Sequence, residues 1–294
     1  MSDKLSAVQA RIAGVHELET VVGAMRGIAA ARSREARSRL EGIRACAEIV
    51  GAAIGAALSL EPRNAATSNY AVGHAAHLMI IFCAEQGFVG SFNDHLAAAA
   101  IRATHAGITE YFVIGGRGAA VFAESGLKIA WSAAMVAHAD EVGALAGRIT
   151  AALYERIEAG KATQVSILHA VPEHSTGIEI VERLLLPFDF QRFANRNRHY
   201  APLVTLPPQQ LLAKLAEEYI YAQLCEAIML SFAAENEARM RAMIAARSNV
   251  HTTLNQLIGS FRRLRQEEIT ADIVELSAGS LAADGMRRKP RLRE

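Results

Sequence analysis

Met240, Met243, Arg247, Val250, Leu254, Leu257, Phe261 and Leu264 are separated alternately by three and four residues. That spacing is the heptad seam of a helix wound around another helix. Only Arg247 interrupts its apolar character. The seam lies in residues 211–277, which read as one helix; at 1.5 Å per residue it would run on the order of 100 Å, more than a compact domain needs. A helix of that kind requires a partner or a sleeve. At the other end of the chain Leu5, Val8, Ile12, Val15, Val22, Met25 and Ala29 keep the same 3.5-residue period. The two ends are expected to pair as an antiparallel shaft, with the residues between them folding at its side.

The first helix should run from residue 3 to about residue 59, where Glu61-Pro62-Arg63-Asn64 ends it, because proline disfavours helix in the residue before it. Inside it Gly14, Gly23, Gly27, Gly42, Gly51 and Gly55 each cost about 1 kcal/mol relative to alanine. Close approach of a neighbouring helix or sleeve would account for that cost. Arg26, Arg32, Arg34, Arg37, Arg39 and Arg44 stand against only Glu35 and Glu41. This basic collar is either a solvated face or one that asks for an acidic neighbour.

After a polar linker at residues 65–74, His77 to Cys83 is a continuous apolar run, the mark of a strand buried on both faces. Tyr111 to Ile114, Leu127 to Trp131, Gln164 to Ala170 and Gly177 to Leu186 read as four more strands. Helices are expected at about residues 93–105, up to about 125, and at about 140–159. Such alternation predicts a parallel or mixed α/β sheet. A short turn at Pro172-Glu173-His174 makes the last two strands an antiparallel pair. Residues 187–208, with Pro187, Pro202, Pro207 and Pro208, read as an irregular return loop. The expected organisation is therefore a coiled-coil helix over residues 1–60, a Rossmann-like α/β domain over 75–190, a second coiled-coil helix over 209–283 and a basic tail over 284–294.

Composition mainly excludes. Among 294 residues, 31 Lys and Arg balance 30 Asp and Glu, so no global argument for nucleic acid arises. Cys46, Cys83 and Cys225 are far apart and form no Cys-x-x-Cys, and read as small buried hydrophobes in a reducing cytoplasm. The first residues lack the apolar core of a signal peptide, and no window of about 20 uncharged apolar residues could span a membrane.

Sites for chemistry are equally scarce. Gly87-x-x-Gly90 and Gly115-Gly116-x-Gly118 each sit between a strand and a helix, where doubly wound folds bind phosphates. Neither completes a dinucleotide fingerprint, no triphosphate-binding loop is present, and tight turns account for both. The ten histidines show no metal-binding spacing. Asp140-Glu141 and Glu267-Glu268 are adjacent on helices and so point to different faces. No catalytic, cofactor or metal residue is assigned.

Ala238-Arg239-Met240, Ala242-Met243 and Arg265-Gln266-x-x-Ile269-Thr270 resemble the C-terminal helix of the gamma subunit of the F-type ATP synthase. Ala24-Met25 with Ala29-Ala30, the turn Gly87-x-x-Gly90-x-x-Asn93, and Leu185-Leu186-Pro187 are similar to three further stretches of that family. Departures mark a divergent branch, such as the alternative sodium-linked F-type ATPases: Glu85-Gln86-Gly87-Phe88-Val89-Gly90 replaces the family's Asp-Arg-Gly-Leu-Cys-Gly, and Thr20 and Gly23 replace its lysines. The resemblance implies a non-catalytic central rotor shaft, without cofactor, standing among three alpha and three beta subunits. The epsilon subunit and the membrane c-ring would be its other partners, on the cytoplasmic face of the inner membrane. It implies contacts with beta through Met25, Arg26, Arg265, Gln266 and Thr270, and an apolar bearing around residues 277–283. Two other classes stay open: a static coiled-coil scaffold, and a dinucleotide-binding enzyme with an appended coiled coil.

Overall fold

The computed structural model of the chain describes residues 3–60, 76–104, 108–173, 177–193 and 203–287. The linker expected at 65–74, the turn residue His174 and tail residues 288–294 lie outside them. The chain forms two compact units, one of Met1–Met25 with Met243–Glu294, the other Arg26–Ala242. Two helices belong to both: α1, Asp3–Leu58, and α5, Pro208–Arg287. Between them come β1 (His77–Phe82), α2 (Phe92–Thr104), β2 (Ile108–Ile114), α3 (Gly116–Glu124), β3 (Ile129–Ala133), α4 (Val142–Glu158), β4 (Gln164–Glu173) and β5 (Gly177–Leu186).

In the larger unit the five strands form one sheet in the order β3-β2-β1-β4-β5. The pairings β1/β2, β1/β4 and β2/β3 are parallel, and β4/β5 is antiparallel. Every residue of β1 is buried, as its unbroken apolar run requires of a central strand covered on both faces. Leu78, Ile80 and Phe82 face a core built with α4, with Ala36 and Leu40 of α1, and with Ile220 to Ala233 of α5. Met79, Ile81 and Cys83 face the opposite core with α2 and α3. The sheet is thus sandwiched, with α4 and the helices formed by the chain's two ends on one side and α2 and α3 on the other.

Three local expectations shift. The strand expected at Leu127 to Trp131 is β3, two residues later; it is a half-buried edge strand whose short apolar signal poorly fixes its ends. Pro172 and Glu173 continue β4 rather than turning. Beyond Leu168 this strand pairs only with β5, Pro172 lying opposite Ile178, so the N–H that proline lacks is not missed on the other side. Among its described residues the return loop contains a 3-10 turn, Phe190–Phe193. Its Phe193 stacks against Phe188 at 5.7 Å between centroids and meets Tyr219 of α5 edge-on at 5.0 Å.

The glycines of α1 divide into two groups. A Cβ at Gly55 would lie 2.5 Å from the Phe193 carbonyl oxygen, and one at Gly51 would lie 3.0 Å from the Phe193 ring. There close packing explains their presence. At Gly14, Gly23, Gly27 and Gly42 a Cβ would meet nothing within 4 Å, so among the described residues nothing approaches closely enough to require them.

Candidate partner-contact surface

In the larger unit the helix pair is antiparallel. Arg37 of α1 meets Glu237 of α5, the Arg44 Nε donates to Glu226 Oε1 at 2.8 Å, and Gly51 lies by Tyr219. The basic collar therefore finds much of its acidic company inside the chain. Arg39 pairs with Glu35 one turn back. Arg26, Arg32 and Arg34 have no polar partner among the described residues.

Three polar brackets fasten the sheet to these helices. Glu226 accepts from Arg44 of α1 and from Arg183 of β5 at 3.1 Å. Burial pushes its carboxyl up, but the two guanidiniums together outweigh that and hold it below the usual range. Glu237 accepts from Arg37 and from Arg241, whose guanidinium also donates to the Glu173 carbonyl at 3.1 Å. Arg239 donates to Glu235, to Asn236 Oδ1 at 3.1 Å and to the Gly87 carbonyl at 3.3 Å. Glu235 is so enclosed that burial outweighs Arg239 and raises its carboxyl. The glycine turn after β1 is thereby tied to α5.

In the smaller unit the apolar seam is formed as its spacing predicts. Leu5, Met243 and Leu254 are buried; Val8, Ile12, Val15, Val22, Val250, Leu257, Phe261 and Leu264 are half-buried. Beyond Leu264 the character of α5 changes: all residues from Ile269 to Ala278 are exposed, with Ile273 57% and Leu276 74% accessible. Arg265 and Gln266 are exposed, and the Thr270 Oγ1 donates to the Gln266 carbonyl at 2.8 Å. Gln266, Thr270 and Val274 share one shallow helix face with Arg263, Glu267 and Ala271. A fully exposed turn-after-turn face with apolar residues is of the kind that interaction sites use.

A family model described as ATP synthase matches residues 4–283. The chain belongs to the ATP synthase family. It is 27% identical over 301 residues to the ATP synthase gamma chain of Lactococcus lactis subsp. cremoris (strain MG1363), covering 96% of this chain and 100% of that one. To the gamma chain of Fuscovulum blasticum it is 26% identical over 293 residues, covering 95% and 99%. Its fold is similar to a chain in the Euglena gracilis mitochondrial ATP synthase OSCP/F1/c-ring, with TM-score 0.64 at 10% identity over 99% of this chain and 98% of that one. A chain of the Euglena rotor gives TM-score 0.58 at 10% identity, over 90% and 99%.

Within this ATP synthase fold, the residues assigned to partner contact fall into two places. Arg265, Gln266 and Thr270 lie within two turns of α5, whereas Met25 and Arg26 are adjacent and half-buried on α1. The glycines read as a tight turn are one, and the place where the alternative reading would put a dinucleotide is filled by the chain itself. Gly115, at φ 108°, and Gly118, where a Cβ would lie 2.0 Å from the Cys83 Cβ, seat α3 against the end of β1. The Glu85 carboxylate then accepts from the Gly116 N–H at 2.9 Å and from the Met135 N–H at 2.8 Å. The chain's own anion thus occupies the helix N-terminus that a phosphate would need. The glycine motif Gly87-x-x-Gly90-x-x-Asn93 is likewise structural, since Asn93 Oδ1 accepts from the Ala84 N–H at 2.9 Å. Sequence reading noted Glu85 only as a departure from the family's motif and overlooked Glu226, Glu235 and Glu237, the four carboxylates that the structure puts to use. A signal existed for three of them: carboxylates recurring inside the apolar stretch from Tyr219 to Met240.

Proposed function

We propose that this chain is the central rotor shaft of an F-type ATP synthase, coupling ion-driven rotation of a membrane ring to conformational change in catalytic beta subunits. The observation that carries it is the combination of a family match over residues 4–283 with paired chain ends on which an α/β sheet is inserted. The chain is a non-catalytic subunit of the peripheral F1 sector, and no helix among the described residues is long and apolar enough to cross a membrane. ATP turnover takes place on its partners, three alpha and three beta subunits; the epsilon subunit and c-ring complete its surroundings. Its place is the cytoplasmic face of the inner membrane, held through the complex.

A shaft acts by differential contact. Each beta subunit's preferred state depends on which side of the shaft it meets, and only an energy difference between those contacts shifts the populations. Arg265, Gln266 and Thr270 would supply directional, charge-assisted bonds to an acidic segment of one beta subunit. Met25 and Arg26 would meet a second beta segment, Arg26 having no polar partner among the described residues. In a complex reconstituted with alpha and beta subunits, Arg265→Ala with Gln266→Ala is expected to lower ATPase turnover about tenfold, the size of one or two lost charge-assisted bonds. Unchanged turnover would remove these residues from the coupling contact.

A further inference from the structure

Arginines that pack into the larger unit are answered by carboxylates. Arg44 and Arg183 share Glu226, Arg156 meets Glu110, and Arg239 meets Glu235. Arg192, in the return loop after β5, makes no ion pair among the described residues and is held by aromatic groups. Its Nη2 donates to the Tyr219 hydroxyl at 2.9 Å, and its guanidinium carbon stands 4.9 Å from the Phe193 ring centroid and 5.4 Å from that of Tyr219. Stacking of this kind fixes the plane of the fork without neutralising its charge. The guanidinium borders a cavity of about 200 Å³ between the end of β5, the return loop and α5. Leu185, Ile220 and Gln223 are buried in its wall, and half-exposed Leu184 also lines it. The Gln223 side-chain carbonyl already accepts from Arg183. Asp189, the carboxylate at this cavity, is tied to its own loop, its Oδ1 accepting from the Gln191 N–H at 2.9 Å.

We propose that this cavity is a binding site for a carboxylate on a short apolar stem, with Arg192 receiving the carboxylate and Leu184, Leu185 and Ile220 the stem. A planar guanidinium matches a carboxylate with two parallel bonds. Because the rings and the Tyr219 hydroxyl already hold it in place, little side-chain freedom remains to be lost on binding. The leucine and isoleucine surface favours an apolar stem over a bare anion. Drug-sized sites occupy about 300–1,000 Å³; this smaller cavity restricts the stem to a few carbons. A free short-chain acid and a glutamate side chain of a neighbouring subunit share this chemistry. The inference does not depend on the rotor reading, because binding is measured on the chain by itself.

Equilibrium dialysis of radiolabelled hexanoate against the full-length chain is expected to show one saturable site per chain. Hexylamine, with the same stem and the opposite charge, should not compete; inorganic phosphate, a charge without a stem, should compete about tenfold less well or worse. Arg192→Met should weaken binding by about tenfold, the worth of one charge-assisted bond. Leu184→Glu, which tethers a carboxylate at the cavity, should abolish it. Both positions are exposed, and circular dichroism checks that each variant is folded. Absence of a saturable site, binding that survives both substitutions, or phosphate competing as well as unlabelled hexanoate overturns the proposal. Repeating the dialysis with the assembled complex separates the two sources: a site lost on assembly is filled by a subunit's side chain, and a site retained is one for the free acid.

Discussion

His169 is 1% exposed on β4, and both of its ring nitrogens lack a hydrogen-bond partner among the described residues. Burial first, and then the charge of Arg183, lower its pKa to about 4, against an opposing influence from Glu226. The folded value lies below the unfolded one, so as pH falls the unfolded chain takes up the proton first. Stability is full above about pH 6.5 and declines towards about pH 4, by about 3 kcal/mol in total. His169→Leu should abolish that part of the acid sensitivity, measured by urea unfolding at successive pH values; an unaltered slope would place it elsewhere. Glu226 acts in the same direction, because its depressed carboxyl contributes stability that is lost as pH falls through its folded value. Neither residue announces itself in the sequence. A lone histidine in an apolar run looks the same whether bonded or orphaned, and a pairing between residues 44, 183 and 226 exists only once three elements are packed.

At the scale of elements, what was legible was what repeats. The heptads of α1 and α5 and the buried run of β1 are periodic over many residues; the structure places α1 and β1 within a residue of their expected bounds, while α5 runs past the expected 211–277 at both ends. Edges were less legible, because β3 is only half covered and Pro172 is tolerated by the absence of a second neighbour. The helical glycines show why composition alone misleads. Gly55 is held by the Phe193 carbonyl, whereas Gly42 faces open space. Gly55→Ala should therefore destabilise by about 2 kcal/mol through overpacking, while Gly42→Ala should stabilise by up to about 1 kcal/mol through helix propensity. Thermal melting of the two variants checks both signs, and movement in the same direction would refute the distinction.

For the whole molecule, the family match ends at residue 283, and the basic tail after it lies past the matched stretch. Removing residues 284–294 should leave assembly with alpha and beta subunits intact, as judged by size-exclusion chromatography of the reconstituted complex; failure to assemble would show that the tail takes part. The candidate contact surface was legible only through resemblance, because Arg265, Gln266 and Thr270 carry no periodic signature of their own and are defined by what they would touch. The internal brackets at Glu226, Glu235 and Glu237 escaped for the converse reason, being satisfied within the chain and visible only as carboxylates in apolar surroundings.

The Glu85 side chain gives the sheet a different destiny from that of similar sheets that hold diffusible molecules. By plugging the mouth of α3 with a tethered anion, the protein trades a vacancy for rigidity. Immobilised triazine dyes, which capture many proteins of that architecture by mimicking adenine nucleotides, should let this one flow through unretained.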